Sequence, residues 1–345
     1  MKLYPLLFEP NMLPVVWGGE RLCSYKGITP RQEPIGESWE VSAMPTRTSV
    51  ISNGEYRGCD LTSVINDMPD AILGKAVNSK YGGNLPLLVK FIDAKKDLSI
   101  QVHPNDEMAR RLHGKMGKSE MWYIIDAKPG SFLYAGFKHE ITPYEYKKRV
   151  EDGSITEVLA RHEVKRGDVF YLPAGRVHAI GSGILLAEVQ QSSDVTYRIF
   201  DYNRPGMDGK PRELHTDLAA QALNYHVEDD YRTHYTDEIN RANLVIESPY
   251  FCVRITETET PFHRNLMKYD SFIICVCLEG DCKLRIRSNG EEVFLREGNS
   301  CLIPAAIADY DLVPQKESTR FMDAFIDNRD RSLAGTINRF LHISS

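Results

Sequence analysis

A short pattern occurs twice in this chain of 345 residues and constrains the fold more than any other feature. Gly167-Asp168-Val169-Phe170-Tyr171-Leu172-Pro173-Ala174 returns as Gly298-Asn299-Ser300-Cys301-Leu302-Ile303-Pro304-Ala305. In each copy a turn glycine precedes an apolar strand, and a proline, which has no N–H for a ladder, ends it. An earlier pair of segments keeps the same order. The run from Glu120 to Gly130 is echoed by the run from Asp270 to Gly280, each strand-like and closed by a turn glycine. Self-similarity on this scale predicts one architecture built twice. The intervening sequence agrees, with β-rich runs such as 87–92 (Leu-Leu-Val-Lys-Phe-Ile) and 272–277 (Phe-Ile-Ile-Cys-Val-Cys) between Gly, Asn, Asp and Pro.

The doubled pattern is similar to the two-motif signature of cupin jelly rolls. The expected fold is mainly β, with two cupin-type jelly-roll barrels in tandem and a small helical insert in the first. The insert is placed at about 137–164. The domains are placed at 1–238 and 239–345, divided just after the polar run 229–234. Helices are expected from Asp106 to His113, from Pro143 to Asp152 with Thr142 as cap, and from near Asp217.

The two copies differ in their chemistry. Ser99, Gln101 and His103 alternate along one expected strand and so point to one face, and Lys118 and Glu120 share that spacing. His178 follows the Pro-Ala strand of the first copy. Two imidazoles, one carboxylate and one amide oxygen are ligand types for a divalent metal that leave room for water or substrate. In the second copy Asp309 takes the place of His178, Asp270 that of Glu120, and nothing corresponds to Gln101-Val102-His103. The second domain is therefore expected to carry no metal ligands.

Composition narrows the function classes. A net charge of −6 argues against a general nucleic-acid binder, and no glycine-rich phosphate or dinucleotide loop is present. Seven cysteines without a Cys-x-x-Cys spacing read as buried reduced thiols of a cytoplasmic protein. The apolar start ends at Glu9-Pro10-Asn11 without a cleavage site, and no apolar run is long enough to span a membrane, so no membrane partner is expected.

At its polar residues the chain closely resembles the type I phosphomannose isomerase family. The resemblance runs through 86–90 (Pro-Leu-Leu-Val-Lys), 98–104 (Leu-Ser-Ile-Gln-Val-His-Pro), Lys118-Ser119-Glu120, 172–179 (Leu-Pro-Ala-Gly-Arg-Val-His-Ala) and Thr196-Tyr197-Arg198. The small insert matches the shorter bacterial form. The resemblance implies one zinc ion per chain on Gln101, His103, Glu120 and His178, and interconversion of mannose 6-phosphate and fructose 6-phosphate through an enediol. It implies Arg198 as a cation beside the developing enediolate and Lys90 as a cavity residue. Lys118 is the candidate base, because zinc and Arg198 nearby would disfavour its ammonium form; a metal-bound water is the alternative. Ser99 and Arg204 offer a hydroxyl and a fork to a phosphate, although 203–206 (Asn-Arg-Pro-Gly) also reads as an exposed turn. The Trp17-Gly18-Gly19 and 36–40 segments could shape the cavity rim, or serve simply as packing and turns. Two other classes stay open: an iron-dependent cupin oxygenase and a non-catalytic sugar-binding or regulatory cupin. The cations Lys90, Lys118 and Arg198 favour the isomerase, since a binding module has no need of a base. Oligomeric state is left open.

Overall fold

The computed structural model describes residues 2–329; residues 330–345, the end of the second expected domain, lie outside the described residues. Four large sheets, of seven, five, six and four strands, carry the chain, with one two-stranded ribbon beside them. The centre of the seven-stranded sheet is three neighbouring strands, Glu120–Ala127, Ile184–Gln191 and Leu87–Ala94. Because side chains alternate across a sheet, this one has two distinct faces.

Leu87, Val89, Phe91, Met121, Tyr123, Ala187 and Val189 form one face and share a core with Val253, Ile274, Val276, Met322 and Ala324 of the six-stranded sheet. On the opposite face Ile92, Trp122, Ile124 and Leu186 pack with Leu133, Ala135 and Ile180 of the five-stranded sheet. The six-stranded sheet turns its own far face, with Ile273, Cys275, Phe321 and Phe325, toward Leu284, Leu295 and Leu312 of the four-stranded sheet. Four layers result. All eight residues of Leu87–Ala94 and of Ile184–Gln191 are buried because both faces are covered, which is why these strands lack polar alternation.

The halves are tied by more than apolar contact. The strand Leu6–Leu7 pairs with Leu302 and Cys301 of the second half. The buried Lys26 ammonium donates to both oxygens of Glu40 and to the Gly298 carbonyl, each at 2.7 Å. Ser300 adds a hydroxyl to the same carboxylate at 2.8 Å.

The helix Asp106–His113 forms where expected, its N-terminus capped by Asn105. Pro143–Glu151 is capped by Thr142, whose side chain accepts from the Glu145 amide, and Thr216–Ala222 covers the Asp217 region. Segment 137–164 also contains the strand Leu159–Glu163, which pairs with Phe132–Phe137. Three short helices, Leu61–Asp67, Pro69–Leu73 and Lys75–Tyr81, were not anticipated. No helix among the described residues is long and apolar enough to cross a membrane.

The ladder corrects one equivalence between the copies. Glu120 pairs with Leu172, and Ile273 pairs with Ile303; Leu172 and Ile303 each precede the proline of the repeated pattern. The position matching Glu120 is therefore Ile273, not Asp270. Aligning on the turn glycines hides a three-residue difference in length between those glycines and the strand starts. Asp270 lies outside the strand at φ 47° and accepts the Lys75 and Ala76 amides at 3.2 and 2.8 Å, capping the Lys75–Tyr81 helix. Asp309 occupies the ladder position opposite Asn265 and accepts a hydrogen bond from His263 Nε2 at 2.7 Å.

The strand Thr319–Phe325 carries one buried carboxylate, Asp323, into the interior of the second half. Asp323 pairs with Cys275 and Arg254, as Glu188 pairs with Trp122 and Lys90 in the first half. Its carboxylate is closed off by Arg264 at 2.6 and 3.0 Å and by the Tyr310 hydroxyl at 3.0 Å. A fully compensated carboxylate has no vacancy for a ligand; the corresponding region of the first half is different.

Candidate metal centre and active site

His103 follows the strand Ile100–Val102, Glu120 opens Glu120–Ala127, and His178 opens His178–Ile180. His178 is directly opposite Gln101 in the ladder, so the folding of the five-stranded sheet brings residues 77 positions apart into contact. His103, Glu120 and His178 are all buried, with one potential ligand atom from each within 4.8 Å of the others.

The hydrogen bonds decide which nitrogens face the centre. Nδ1 of His103 lies 2.9 Å from the Val195 carbonyl, and Nδ1 of His178 lies 2.9 Å from the Arg176 carbonyl. A carbonyl can only accept, so each Nδ1 carries the proton and each Nε2 presents a lone pair. Those Nε2 atoms stand 3.4 and 3.2 Å from the two oxygens of Glu120. Burial, with Lys118 adding to it, pushes His103 down to about 3, and burial also lowers His178, so both rings are neutral. Burial opposes ionisation of Glu120, but the Lys118 ammonium beside it favours the charged form and the carboxyl is held well below its ordinary range.

Two lone pairs therefore point at a carboxylate with no proton between them. His103 Nε2 and both Glu120 oxygens are buried with no hydrogen-bond partner. Leaving such groups unsatisfied is costly, and a divalent cation satisfies all of them at once. Gln101 completes the set, its amide 3.3 Å from His178 Nε2; a half-turn of the amide would present its oxygen to the same point. The residues present fit a metal.

A cavity of about 250 Å³ lies beside this centre, reaching it at Gln101 and Lys118, and Lys90, Ser99 and Arg198 also line it. Lys118 Nζ is 3.2 Å from Glu120, on the same face as expected from the spacing of two. Lys90 is 3.4 Å from both Glu37 and Glu188 and lies over Trp39 at 5.0 Å. Its burial favours the neutral amine, but the two carboxylates overrule this and raise its pKa. Arg198 sits opposite Gln101, on the strand Tyr197–Phe200 beyond it, and gives Nη1 to the Glu213 carbonyl at 2.9 Å.

Arg204 is not brought to the cavity lining. Its guanidinium is held on Asp201 at 2.8 Å and on the Asp97 carbonyl, and Arg212, from farther along the same loop, lines the cavity in its stead. Sequence reasoning placed Glu37 only within the 36–40 rim segment, without a role of its own, and missed Glu188. Trp39 Nε1 donates to Glu37 at 2.7 Å and Trp122 Nε1 to Glu188 at 3.0 Å. Burial first, and then Glu120, raises the Glu188 pKa. The signal for Glu188 was legible: a lone carboxylate in the otherwise apolar run 184–189 demands a buried partner. Trp17 and Trp39 both line the cavity, so the rim role considered for those segments is seen alongside packing.

Comparison with known proteins gives the same direction. Residues 7–131 match the family profile "Phosphomannose isomerase type I, catalytic domain", and residues 240–319 match "Mannose-6-phosphate isomerase, cupin domain". Mannose-6-phosphate isomerase ManA of Bacillus subtilis is 34% identical over 316 residues, covering 90% of this chain and 96% of that protein. The mannose-6-phosphate isomerase of Streptococcus mutans is 30% identical, covering 89% and 94%. The crystal structure of the mannose 6-phosphate isomerase from Bacillus subtilis superposes with a TM-score of 0.83 at 30% identity, covering 93% of this chain and 99% of that one.

Proposed function

This chain belongs to the type I phosphomannose isomerase family, and on that premise we propose that it interconverts mannose 6-phosphate and fructose 6-phosphate through an enediol, using one zinc ion per chain. Gln101, His103, Glu120 and His178 would hold the ion. The observation that carries this reading is the pair of unprotonated Nε2 atoms aimed at one buried carboxylate, with Lys118 3.2 Å from that carboxylate in an open cavity. When bound, the ion supplies Lewis acidity toward the two substrate oxygens on which charge develops.

The chain's own residues do the rest. Lys118 is placed to carry the proton between C1 and C2 of the sugar. Arg198 lines the same cavity as a cation beside the developing charge. Lys90, fixed between Glu37 and Glu188, and Ser99 form the wall against which the sugar is oriented. Within this reading the fold is two cupin-type jelly rolls in tandem, supported by the matching order of strands in the two halves. The catalytic domain is 1–238 with its helical insert at about 137–164, and 239–345 is a domain without counterparts of those four ligands, although Glu247, Cys252 and Asp327 bring ligand-type atoms within 4.8 Å of one another there. A cytoplasmic setting is supported by the free state of all seven cysteines.

The test is a coupled isomerase assay on zinc-loaded and metal-stripped protein, with metal content measured on the same samples. Turnover is expected only with zinc, and a zinc-loaded sample without turnover would sink the reading. Glu120→Ala is expected to lose the metal. Lys118→Ala should keep the metal and lose turnover, and full activity in that variant would remove Lys118 as the base. Stoichiometric iron in the purified protein would move the reading to an oxygenase.

A further inference from the structure

The strand Ile35–Val41 serves both halves of the molecule. Glu37 and Trp39 line the substrate cavity, while Ser38 and Glu40 alternate with them and face the other way. In the ladder Trp39 stands opposite Lys90 and Val41 opposite Val89, so Glu40 is an extra residue, a β-bulge. The ladder gives Glu40 no opposite residue, and its buried carboxylate supplies the anchorage instead. It accepts the Lys26 ammonium on both oxygens at 2.7 Å and the Ser38 hydroxyl at 2.6 Å. From the second half it accepts the Ser300 hydroxyl at 2.8 Å, and Lys26 in turn reaches the Gly298 carbonyl.

The cavity side of this strand is what holds Lys90. The ammonium is 3.4 Å from Glu37 Oε2 and 5.0 Å from the centre of the Trp39 ring. Trp39 Nε1 donates to the same Glu37 oxygen at 2.7 Å, so the three side chains move as one group. Close packing does not fix that group from behind. The indole also lines a second cavity, of about 120 Å³, which lies between the halves and which Lys26, Glu40 and Ser300 line with it. Interiors normally hold a side chain by contact on all sides. With open space on two sides of Trp39, the wall takes its position from the backbone beneath it.

That backbone is tied one residue away, at Glu40. Hydrogen bonds to an ionised group are the strong ones, and this carboxylate collects them from both halves. A bulge is also the place where a strand bends and re-aims its side chains. A slackened anchor therefore shifts Trp39 and Glu37 directly, and Lys90 through them.

We propose that Glu40 is a positioning residue for the reaction: gripped by Lys26 and by Ser300 of the second half, it sets Trp39, Glu37 and Lys90 against the sugar. The second half thereby takes part in turnover without touching substrate. This rests on the sugar-phosphate isomerase reading of the site.

The experiment compares zinc-loaded wild type, Ser300→Ala, Glu40→Gln and Arg264→Met, each at a temperature where circular dichroism shows it folded. It measures kcat and KM for mannose 6-phosphate and the tryptophan emission of the folded protein. A wall displaced by a fraction of an ångström should lower kcat/KM about three- to tenfold in Ser300→Ala and about ten- to hundredfold in Glu40→Gln. Arg264→Met weakens the second half on the opposite face of the six-stranded sheet, where Asp323 pairs with Cys275 and not with Val276 beside Ser300. It should keep the wild-type kcat and KM. In a Lys90→Met background the positioned group is gone, so Ser300→Ala should cost less than about twofold more. An unchanged kcat/KM in Ser300→Ala would overturn the proposal, as would an equal fall in Arg264→Met or an undiminished effect beside Lys90→Met. If Glu40→Gln does not fold, Ser300→Ala decides alone on the same terms. Wild type without turnover overturns the isomerase reading instead. Emission then decides Glu40 separately: a red shift in Ser300→Ala that vanishes when Trp39→Phe is added supports the role, and identical emission removes it.

Discussion

Replacing Arg264 with methionine would leave the Asp323 carboxylate buried in the second half without its counter-ion. Both residues are inside, 6% and 0% exposed, and the guanidinium meets Asp323 Oδ2 through two nitrogens at 3.0 and 2.6 Å. After the substitution only the Tyr310 hydroxyl at 3.0 Å and the Cys275 thiol at 3.2 Å would still face that carboxylate. Breaking a buried pair by removing one partner costs about 3–5 kcal/mol. With a urea dependence of about 3 kcal/mol per molar, the unfolding midpoint should fall by roughly 1–2 M. The double variant Arg264→Met with Asp323→Leu removes the stranded charge and leaves chiefly the Tyr310 hydroxyl without a partner, at about 1–3 kcal/mol. It should therefore be more stable than the single variant. Urea unfolding would be followed by circular dichroism for the whole chain and by fluorescence from Trp17, Trp39 and Trp122, all in the first half. Because Val253, Ile274 and Met322 share a core with Val89 and Tyr123, both signals should move together. A single variant costing less than about 1 kcal/mol, as an exposed pair would, refutes the reasoning. So does a double variant no more stable than the single.

Two further outcomes follow from close packing and from charge. A Cβ on Gly36 would lie 2.2 Å from Val15 Cγ2 and 2.5 Å from Trp17 Cζ3, so Gly36→Ala should cost about 1–3 kcal/mol. It should also raise KM, because Trp17 lines the cavity; an unchanged melting temperature and KM would show that the strands yield freely. Burial alone would raise the pKa of Asp201, but Arg212 and Arg204 outweigh this and hold it below its ordinary value. A depressed folded-state pKa gives stability that is present above the unfolded value of about 3.9 and is lost as pH falls through the folded value. Asp201→Asn should therefore flatten the acid side of the stability profile, below about pH 4, and an identical acid limb in the variant would contradict the role given to the carboxylate.

Much of the centre was legible because strand chemistry is local. The spacing of two in Ser99-Ile100-Gln101-Val102-His103 and Lys118-Ser119-Glu120 sets which side chains share a face, whatever lies on the other side. The helix ends at Asn105 and Thr142 were similarly local, since each cap bonds an amide three residues away. What escaped depends on chain segments far apart. The equivalence of Asp270 with Glu120 failed because ladder register, not the position of a glycine, decides which residues correspond. The helices within 61–81 escaped because each is too short to show a period, and one of them is capped by Asp270, nearly two hundred residues later.

The sequence by itself determined that this chain is β-rich, doubled, and equipped with His103, Glu120 and His178 in the first copy alone. Only the tertiary structure decided that the Nδ1 atoms are spent on carbonyls, leaving two lone pairs facing a carboxylate. It alone decided that Arg212 and not Arg204 reaches the cavity. The reason is physical: a side chain's face follows from its own strand, but its partner follows from how the chain returns, and no local rule encodes a return through fifteen residues of loop around one buried carboxylate.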